Sequence, residues 1–445
     1  MGLIILPTVI SLCRMLAKLA IDLDKRPELV ANLTRRESVG QDDAVERVTL
    51  VESSANAIRE AFKKCLSERS GHISGVSSDG HPEGRRSGIY VTANLCLKLF
   101  FHCKKLRSAE QIFGNIYQQS PPLAIFPVAQ RVTFLYYLGR YLFANNHYFR
   151  AQLALQGAYN QCHKQCIQQR RLILIHLIAS NIILGRFPRS TVWQRPEAAG
   201  LQSKFEPFCS AIRRGDLASF RKLTEVDNDY AEWFIQKRIL LQMSNRCEIL
   251  VWRSLARRSF LLVGSEGDAA SRKAPTMALE DLLRLAIYLE RKGMQPNNRV
   301  DDPPSDLSDK AKQTKAIFLV NNDPAPTESA DSGYVDPDLA DAVDPTPPLL
   351  PTMDTVESIV ASLVEQGFLH GFISHSSHRF AITGAKTAPP LQVGFPKVWE
   401  VIKGRADTEV PGWVKEAKGG PTAKGFGPGM VVNLSGARPA GAVSA

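Results

Sequence analysis

From Arg131 to Arg186 apolar residues recur at intervals of three and four, the spacing of one face of a helix. The run Tyr137 to Ala151 keeps that spacing until Asn145-Asn146 interrupts it, which predicts a tight turn between two helices. Beyond the turn Tyr148, Ala151, Leu155 and Ala158 set large against small, as in the second helix of a tetratricopeptide-like pair. A third helix is predicted over Gln165 to Leu184, stopped by Gly185 with Pro188 close behind. Three helices with short turns predict a right-handed stack, an interaction scaffold rather than a catalytic cleft.

The same pattern, read from the start of the chain, predicts further helices. Leu12, Leu16, Leu19 and Leu23 share a face and predict that Leu12 to Leu23 begins a core helix. Pro7, Arg14 and Lys18 interrupt the apolar run around it, leaving less than the ~20 residues that span a bilayer, so no membrane insertion is expected. Ser70 to Ser87 has no periodicity and reads as a flexible loop. Helix resumes at Ile89, with Leu95, Leu99 and Leu106 on one edge and Ala109, Ile112, Phe113 and Ile116 on the next. Pro121-Pro122 breaks the chain, and Pro127 suits the first turn of the next helix. Cys209 to Phe220 predicts helix, turn and helix, with Gly215 ending one and Asp216 capping the other.

Tyr230 to Val263 lacks Gly and Pro, enough for a single helix of about 50 Å. On its wheel Phe234, Leu240, Leu241, Val251, Trp252, Leu255 and Leu262 fall on one side, with Arg246, Arg253 and Arg257 opposite. A helix over Met277 to Arg291 comes next. After it Asp354 is placed to cap a short helix ended by Gly367, and strands are expected at Phe368 to Ser374 and His378 to Ile382. Helix, helix and a two-stranded wing outline a winged-helix domain. The expected domains are N-terminal helices over 1–69, a flexible loop over 70–88, helical repeats over 89–264 and the winged helix over 265–402. A flexible tail of Gly, Pro, Ala and Lys takes 403–445.

Charge sharpens this outline. Asp301 to Thr352 holds eleven acidic residues against three Lys, a net −8, so the rest of a chain with formal charge +11 carries +19. With nine Pro and few large apolar residues, that segment is expected to be a disordered insertion. The basic remainder favours nucleic acid or acidic protein segments as partners. Arg246, Arg253 and Arg257 read either as a solvated face or as a partner-binding strip for an acidic segment. His375, His378 and Arg379 on the wing, with Lys397 and Lys403 just after it, are the candidate nucleic-acid contacts, expected to be non-specific.

Enzyme chemistry finds no foothold. There is no nucleophile elbow, no phosphate-cradling Gly-rich loop with Lys, and no H-E-x-x-H. The eight Cys are scattered, and Cys162-His163-x-x-Cys166 lacks a second ligand pair for zinc. His370, His375 and His378 are close in sequence, but no clustered carboxylate or Cys accompanies them, so no metal and no cofactor is expected.

Helical repeats running without a linker into a winged helix form the PCI architecture of scaffold subunits in the proteasome lid, the COP-nine signalosome and translation initiation factor three. Particular residues narrow the likeness: Tyr136 to Arg140, Asn145-Asn146-His147, Arg170 to Ile175, Lys237 to Leu241, Val356 to Leu363 and Gly371 to His375. As a set they resemble the signalosome-subunit-twelve type of PCI protein. That group includes the PCI subunit of the TREX-type mRNA export complex at nuclear pores. The resemblance covers roughly Ile89 to Val401, and the acidic insertion departs from it by splitting the winged helix. It implies a mainly α fold, a right-handed helical-repeat stack followed by a winged helix. As partners it implies a second PCI scaffold protein, a small acidic Dss-type subunit, and RNA or DNA on the juxtaposed winged helices. It points to the nucleus and leaves the cytoplasm open. The alternative it implies is a signalosome-associated subunit acting only through protein contacts.

Overall fold

The Asn145-Asn146 break is a tight turn. Asn145 ends one helix, Asn146 takes a left-handed φ of 64°, and the His147 amide reaches back to the Leu142 carbonyl at 2.8 Å. The computed structural model describes residues 2–26, 28–29, 49–68, 75–77, 80–226, 228–267, 273–294, 351–385, 388–406, 410 and 413. Of the acidic insertion expected over 301–352 only 351–352 are described, and of the tail expected over 403–445 only 403–406, 410 and 413, of which 403–405 end a helix over Val398–Arg405 instead of belonging to a flexible tail. Among the described residues the fold is mostly helical, with one small sheet. It divides into two compact units, Met1–Phe126 with Asp407–Ala445, and Pro127–Ala406. The division falls inside the stretch 89–264 expected to be continuous repeats.

In the first unit α1 (Gly2–Asp24) packs on α2 (Leu50–Leu66) and α3 (Ile89–His102), and α4 (Leu106–Gln119) comes after them. Ile58, Phe62, Tyr90, Ala93, Leu97 and Phe100 fill the core. Two expectations fail in α1. The helix is unbroken through Pro7, and Ile4–Asp24 is long and apolar enough to cross a membrane by length and composition. Its buried face is Leu6, Cys13, Ala17 and Ala20, while Leu12 and Leu19 are 60% and 57% exposed. Beyond Leu6 that face is small, and small side chains let helix backbones approach closely. The loop expected over 70–88 is ordered in its described part. Val76 bridges Pro82, and a 3₁₀ turn over Gly84–Gly88 is held by Glu68, which takes the Arg85 amide and guanidinium.

In the second unit α5 (Val128–Ala144), α6 (Tyr148–Gln161) and α7 (Ile167–Ile183) are the predicted hairpins. Tyr148, Ala151, Leu155 and Ala158 are all buried. Gly139 makes the α5–α6 approach possible, because a Cβ there would stand 2.5 Å from Leu155 Cγ. The connection after α7 is clasped by Glu197. Its carboxylate accepts the Tyr159 hydroxyl at 2.5 Å and Arg170 Nε at 2.9 Å, and Arg195 donates to the Tyr159 oxygen at 2.7 Å. His176 on α7 is buried between the edges of Tyr136 and Phe143. Burial, helped by the charge of Arg140, pushes its pKa down to about 3.

α8 (Leu201–Arg214) and α9 (Leu217–Thr224) meet at Gly215, with φ 68°, and the Asp216 carboxylate accepts the Ser219 amide at 3.1 Å. The single helix expected over Tyr230 to Val263 is two. Arg238 adopts a left-handed φ of 57° and separates α10 (Asp229–Lys237) from α11 (Leu240–Val263). Leu241 and Leu262, assigned to the apolar side, are exposed. Arg221 of α9 bridges Glu248 of α11 at 2.8 Å and Glu290 of α12 (Leu279–Met294) at 2.6 Å.

α12 begins two residues later than expected because Thr276–Ala278 is a strand, β1. It pairs antiparallel with β3 (Arg379–Ile382), which also pairs with β2 (Gly371–Ser374), giving the order β1-β3-β2. Met277 opposes Phe380 in the register, and both are buried. α13 (Met353–Glu365) starts at Thr352 rather than Asp354, because Thr352 and Thr355 form a reciprocal capping box. Gly367 then reverses the chain at φ 73°, and α14 (Val398–Arg405) closes the unit.

Two substitutions probe this packing. Gly139→Ala should destabilise the protein by about 1–3 kcal/mol through overpacking. Gly114→Ala, in exposed helix with nothing within 4 Å of the new Cβ, should stabilise it by about 0.5–1 kcal/mol; urea unfolding of both variants distinguishes these signs. The lowered His176 pKa means the unfolded chain binds that proton more readily. Its contribution is therefore full above ~6.5, the ordinary His value, and is lost as pH falls toward about 3, over a total of a few kcal/mol. His176→Met should flatten the stability–pH slope in that window.

Candidate partner and nucleic-acid interface

The arginine strip of α11 does not survive as a strip. Arg253 turns inward, where its Nε donates to the Phe368 carbonyl at 3.3 Å and its Nη2 to the carbonyls of Phe395 and Pro396 at 3.1 and 2.6 Å. Burial, with Arg257 adding repulsion, pushes its pKa down to about 10. With Nε and Nη2 given to three internal carbonyls, Arg253 is an internal clamp in the wall of both hollows, which corrects its reading as part of an exposed docking strip. Arg257 is exposed at the rim of two adjoining hollows, and Arg246, exposed beside the Tyr148 hydroxyl, lines neither of them.

The larger hollow, about 820 Å³, is a groove between α11 and the segment Pro389–Glu400. Arg257, Lys397, Phe187, Leu391 and Trp399 line it. The smaller, about 470 Å³, is lined by Arg213, Arg214, Arg257, Arg258 and Leu261, and shares Arg253, Ser254 and Arg257 with the first. Together they form a basic channel with apolar walls. Several cations in it are already positioned: Arg213 lies over Phe187 at 4.8 Å and meets Glu206 at 3.4 Å, and Lys397 meets Glu400 at 3.1 Å. Arg186 covers Trp399 at 4.4 Å, with Phe149 against the same indole at 5.6 Å. Sequence reasoning missed Arg213, Arg214 and Arg258. The available signal was two Arg-Arg doublets, one at the helix end before Gly215 and one on α11.

The proposed nucleic-acid residues do not form one patch. Lys397 belongs to the groove, whereas Lys403, exposed on α14, lines neither hollow. His375 and His378 stand together in the β2–β3 turn, rings 5.7 Å apart, and Arg379 is exposed at the start of β3 beside them. Both histidines face Glu357 of α13, which takes His375 Nδ1 at 2.8 Å and lies 3.7 Å from His378 Nδ1. His370 is elsewhere, with Nδ1 3.2 Å from Thr383. The reason for expecting no metal, that no carboxylate joins the histidines, therefore fails: Glu357 joins two of them.

No family model matches the chain. It is similar to a PCI domain-containing protein of Schizosaccharomyces pombe, 28% identical over 364 residues, which cover 82% of this chain and 65% of that protein. A protein named CSN12 homolog in Neurospora crassa is 29% identical over 228 residues, 51% of this chain and 47% of its own length. PCI domain-containing protein 2 of Xenopus laevis is 21% identical over 342 residues, 77% of this chain and 65% of its own. The chain thus spans about half to two thirds of the length of the curated relatives it matches.

Arg253 and Arg257 are one helical turn apart with opposite assignments, and substitution separates them. Arg253→Ala orphans three partly buried carbonyls and should lose about 1–3 kcal/mol of stability. Arg257→Glu, at an exposed rim, should stay within ~0.5 kcal/mol of the parent. Denaturant titration of both variants is the check.

Proposed function

The chain is a PCI-domain protein of the CSN12 type, and from that premise we propose that it is a non-catalytic scaffold subunit that contacts RNA or DNA in a nuclear, transcription-coupled mRNA export complex. The observation that carries the nucleic-acid part is the arginine-lined channel at the junction of α11 and the winged helix. Four guanidinium groups and Lys397 converge there on apolar walls, with Glu400 the acidic side chain that lines it. Such a surface attracts polyanions through backbone charge and carries little means of reading bases. A second PCI scaffold and a small acidic Dss-type subunit complete the proposed assembly, the acidic subunit suiting the same basic unit.

A second reading has its own support. Relatives bear the name CSN12 homolog, which favours a signalosome-associated subunit that works through protein contacts alone. Co-purification from cells separates the two: a second PCI scaffold with export factors supports the first, signalosome subunits the second.

Labelled single-stranded RNA and duplex DNA, titrated into the full chain at several salt concentrations, test the nucleic-acid reading directly. Binding of the order of ~10⁻⁴ to 10⁻⁶ M is expected, weakening linearly in log–log terms as salt rises. Arg257→Glu with Lys397→Glu should weaken all sequences alike and flatten the salt slope by up to about one unit per lost phosphate contact. Absence of binding at low salt, or no effect of the double substitution, would leave the channel to an acidic protein and favour the signalosome reading.

A further inference from the structure

The Glu357 carboxylate is only 20% exposed, yet among the described residues no Lys or Arg neutralises it; its polar neighbours are His375 and His378. A mostly buried carboxylate needs a cation or hydrogen-bond donors. A neutral His375 can supply one Nδ1–H, at 2.8 Å. His378 does not complete the arrangement, because its Nδ1 is buried without a hydrogen-bond partner, 3.7 Å from the second carboxylate oxygen. The backbone nonetheless holds His378 in this place. Its φ is +46°, in the left-handed region that His enters more readily than most side chains, and its carbonyl accepts the Leu279 amide at 2.8 Å.

We propose that Glu357, His375 and His378 form a zinc site that joins helix α13 to the tip of the wing. One donor atom from each residue lies within 4.8 Å of the other two. Ligand bonds of 2.0–2.2 Å in a tetrahedral zinc site put donor atoms about 3.4 Å apart, a value bracketed by the 3.0 Å and 3.7 Å separations of His375 and His378 Nδ1 from the same Glu357 Oε2. Closing the remaining gap requires a rotation of His375, whose side chain is 80% exposed and free to make it. With zinc bound, both Nδ1 atoms act as lone-pair donors, so the orphaned nitrogen of His378 gains a partner and Glu357 gains its counter-charge. Two imidazoles and a carboxylate suit zinc, and three protein ligands leave a fourth position for water. The ion would tie a hairpin turn to a helix rooted in the core through Val356 and Val360, and would add positive charge beside Arg379.

The site is tested on the full chain with zinc alone, by equilibrium dialysis in a non-thiol reductant, and with Co²⁺ as a spectroscopic probe. One zinc per chain is expected. Affinity should fall at least about tenfold in Glu357→Gln, since loss of a direct ligand exceeds the effect of losing a supporting contact. It should be lost in the double variant His375→Ala, His378→Ala. Co²⁺ should give visible bands without the near-ultraviolet charge-transfer band of a thiolate, which separates this site from Cys162 and Cys166. Zinc should also raise the melting temperature of the parent and not of the double variant. The proposal is overturned if the parent binds no zinc, if the bound Co²⁺ shows thiolate charge transfer, or if both variants retain parental affinity. Far-UV circular dichroism checks that each variant is folded, and Glu357→Gln preserves side-chain shape should the double variant unfold.

Discussion

The junction between α11 and the winged helix depends on the burial of one guanidinium. Arg253 reaches across to the carbonyls of Phe368, Phe395 and Pro396, groups that belong to two separate loops and have the planar fork of an arginine in common. A lysine ammonium, a compact point charge on a flexible stem, could not span the same set. The arrangement has a desolvation penalty, visible in the lowered pKa of Arg253, and charge-assisted hydrogen bonds offset it. Its consequence is geometric. With both loops fixed to the helix, the segment Pro389–Glu400 lies alongside α11 and the hollow between them becomes a groove. Arg257, one helical turn on, is exposed, and its charge stays at the rim.

A second buried network acts in the same way at the start of α7. Glu197 has both burial working against its charge and the Tyr159 hydroxyl and Arg170 working for it, and the balance lowers its pKa. Arg170 also donates to the carbonyls of Tyr159 and Cys162, and Arg171 to those of Glu197 and Ala199. The adjacent arginines at the start of α7 thus hold the connection that leads to α8. The positive charge of this pair is thus in large part spent on groups of the fold itself.

Local signals were the legible ones. The Asn145-Asn146 turn, the large-and-small face of α6, the Gly215 stop and the Asp216 cap each depend on residues within a turn of one another. The misses share a different cause. β1 is three residues long, and its partner lies a hundred positions away in the chain, so no alternation announces it. The break at Arg238 is a left-handed residue that no Gly or Pro marks. Leu12 and Leu19 obey helical spacing as well as Ala17 and Ala20 do, and tertiary packing turned the face of Leu6, Cys13, Ala17 and Ala20 inward. The wheel of α11 put Arg253 opposite the apolar face correctly, but the wheel does not show that loops from the winged helix cover that side. Glu357 and the wing histidines are separated in sequence by a helix end and a strand, and meet only because β2 returns along α13.

The aromatic side chains of the groove bear on how it would recognise a polyanion. Trp399 is covered by Arg186 and flanked by Phe149, and Phe187 is covered by Arg213. Bases stack on exposed aromatic faces, and single-stranded sites that use stacking leave such faces open. Here the protein's own guanidinium groups already occupy them. The same contacts hold those cations in place, so the groove presents positioned charge on an apolar floor in place of a stacking platform. Base-edge readout would require directed donors and acceptors, and the lining supplies few beyond Gln392 and Ser254. Were the proposed polyanion to bind there, this lining would know it by charge and contour, whether a sugar–phosphate backbone or an acidic peptide, and sequence preference would be the property least expected of it.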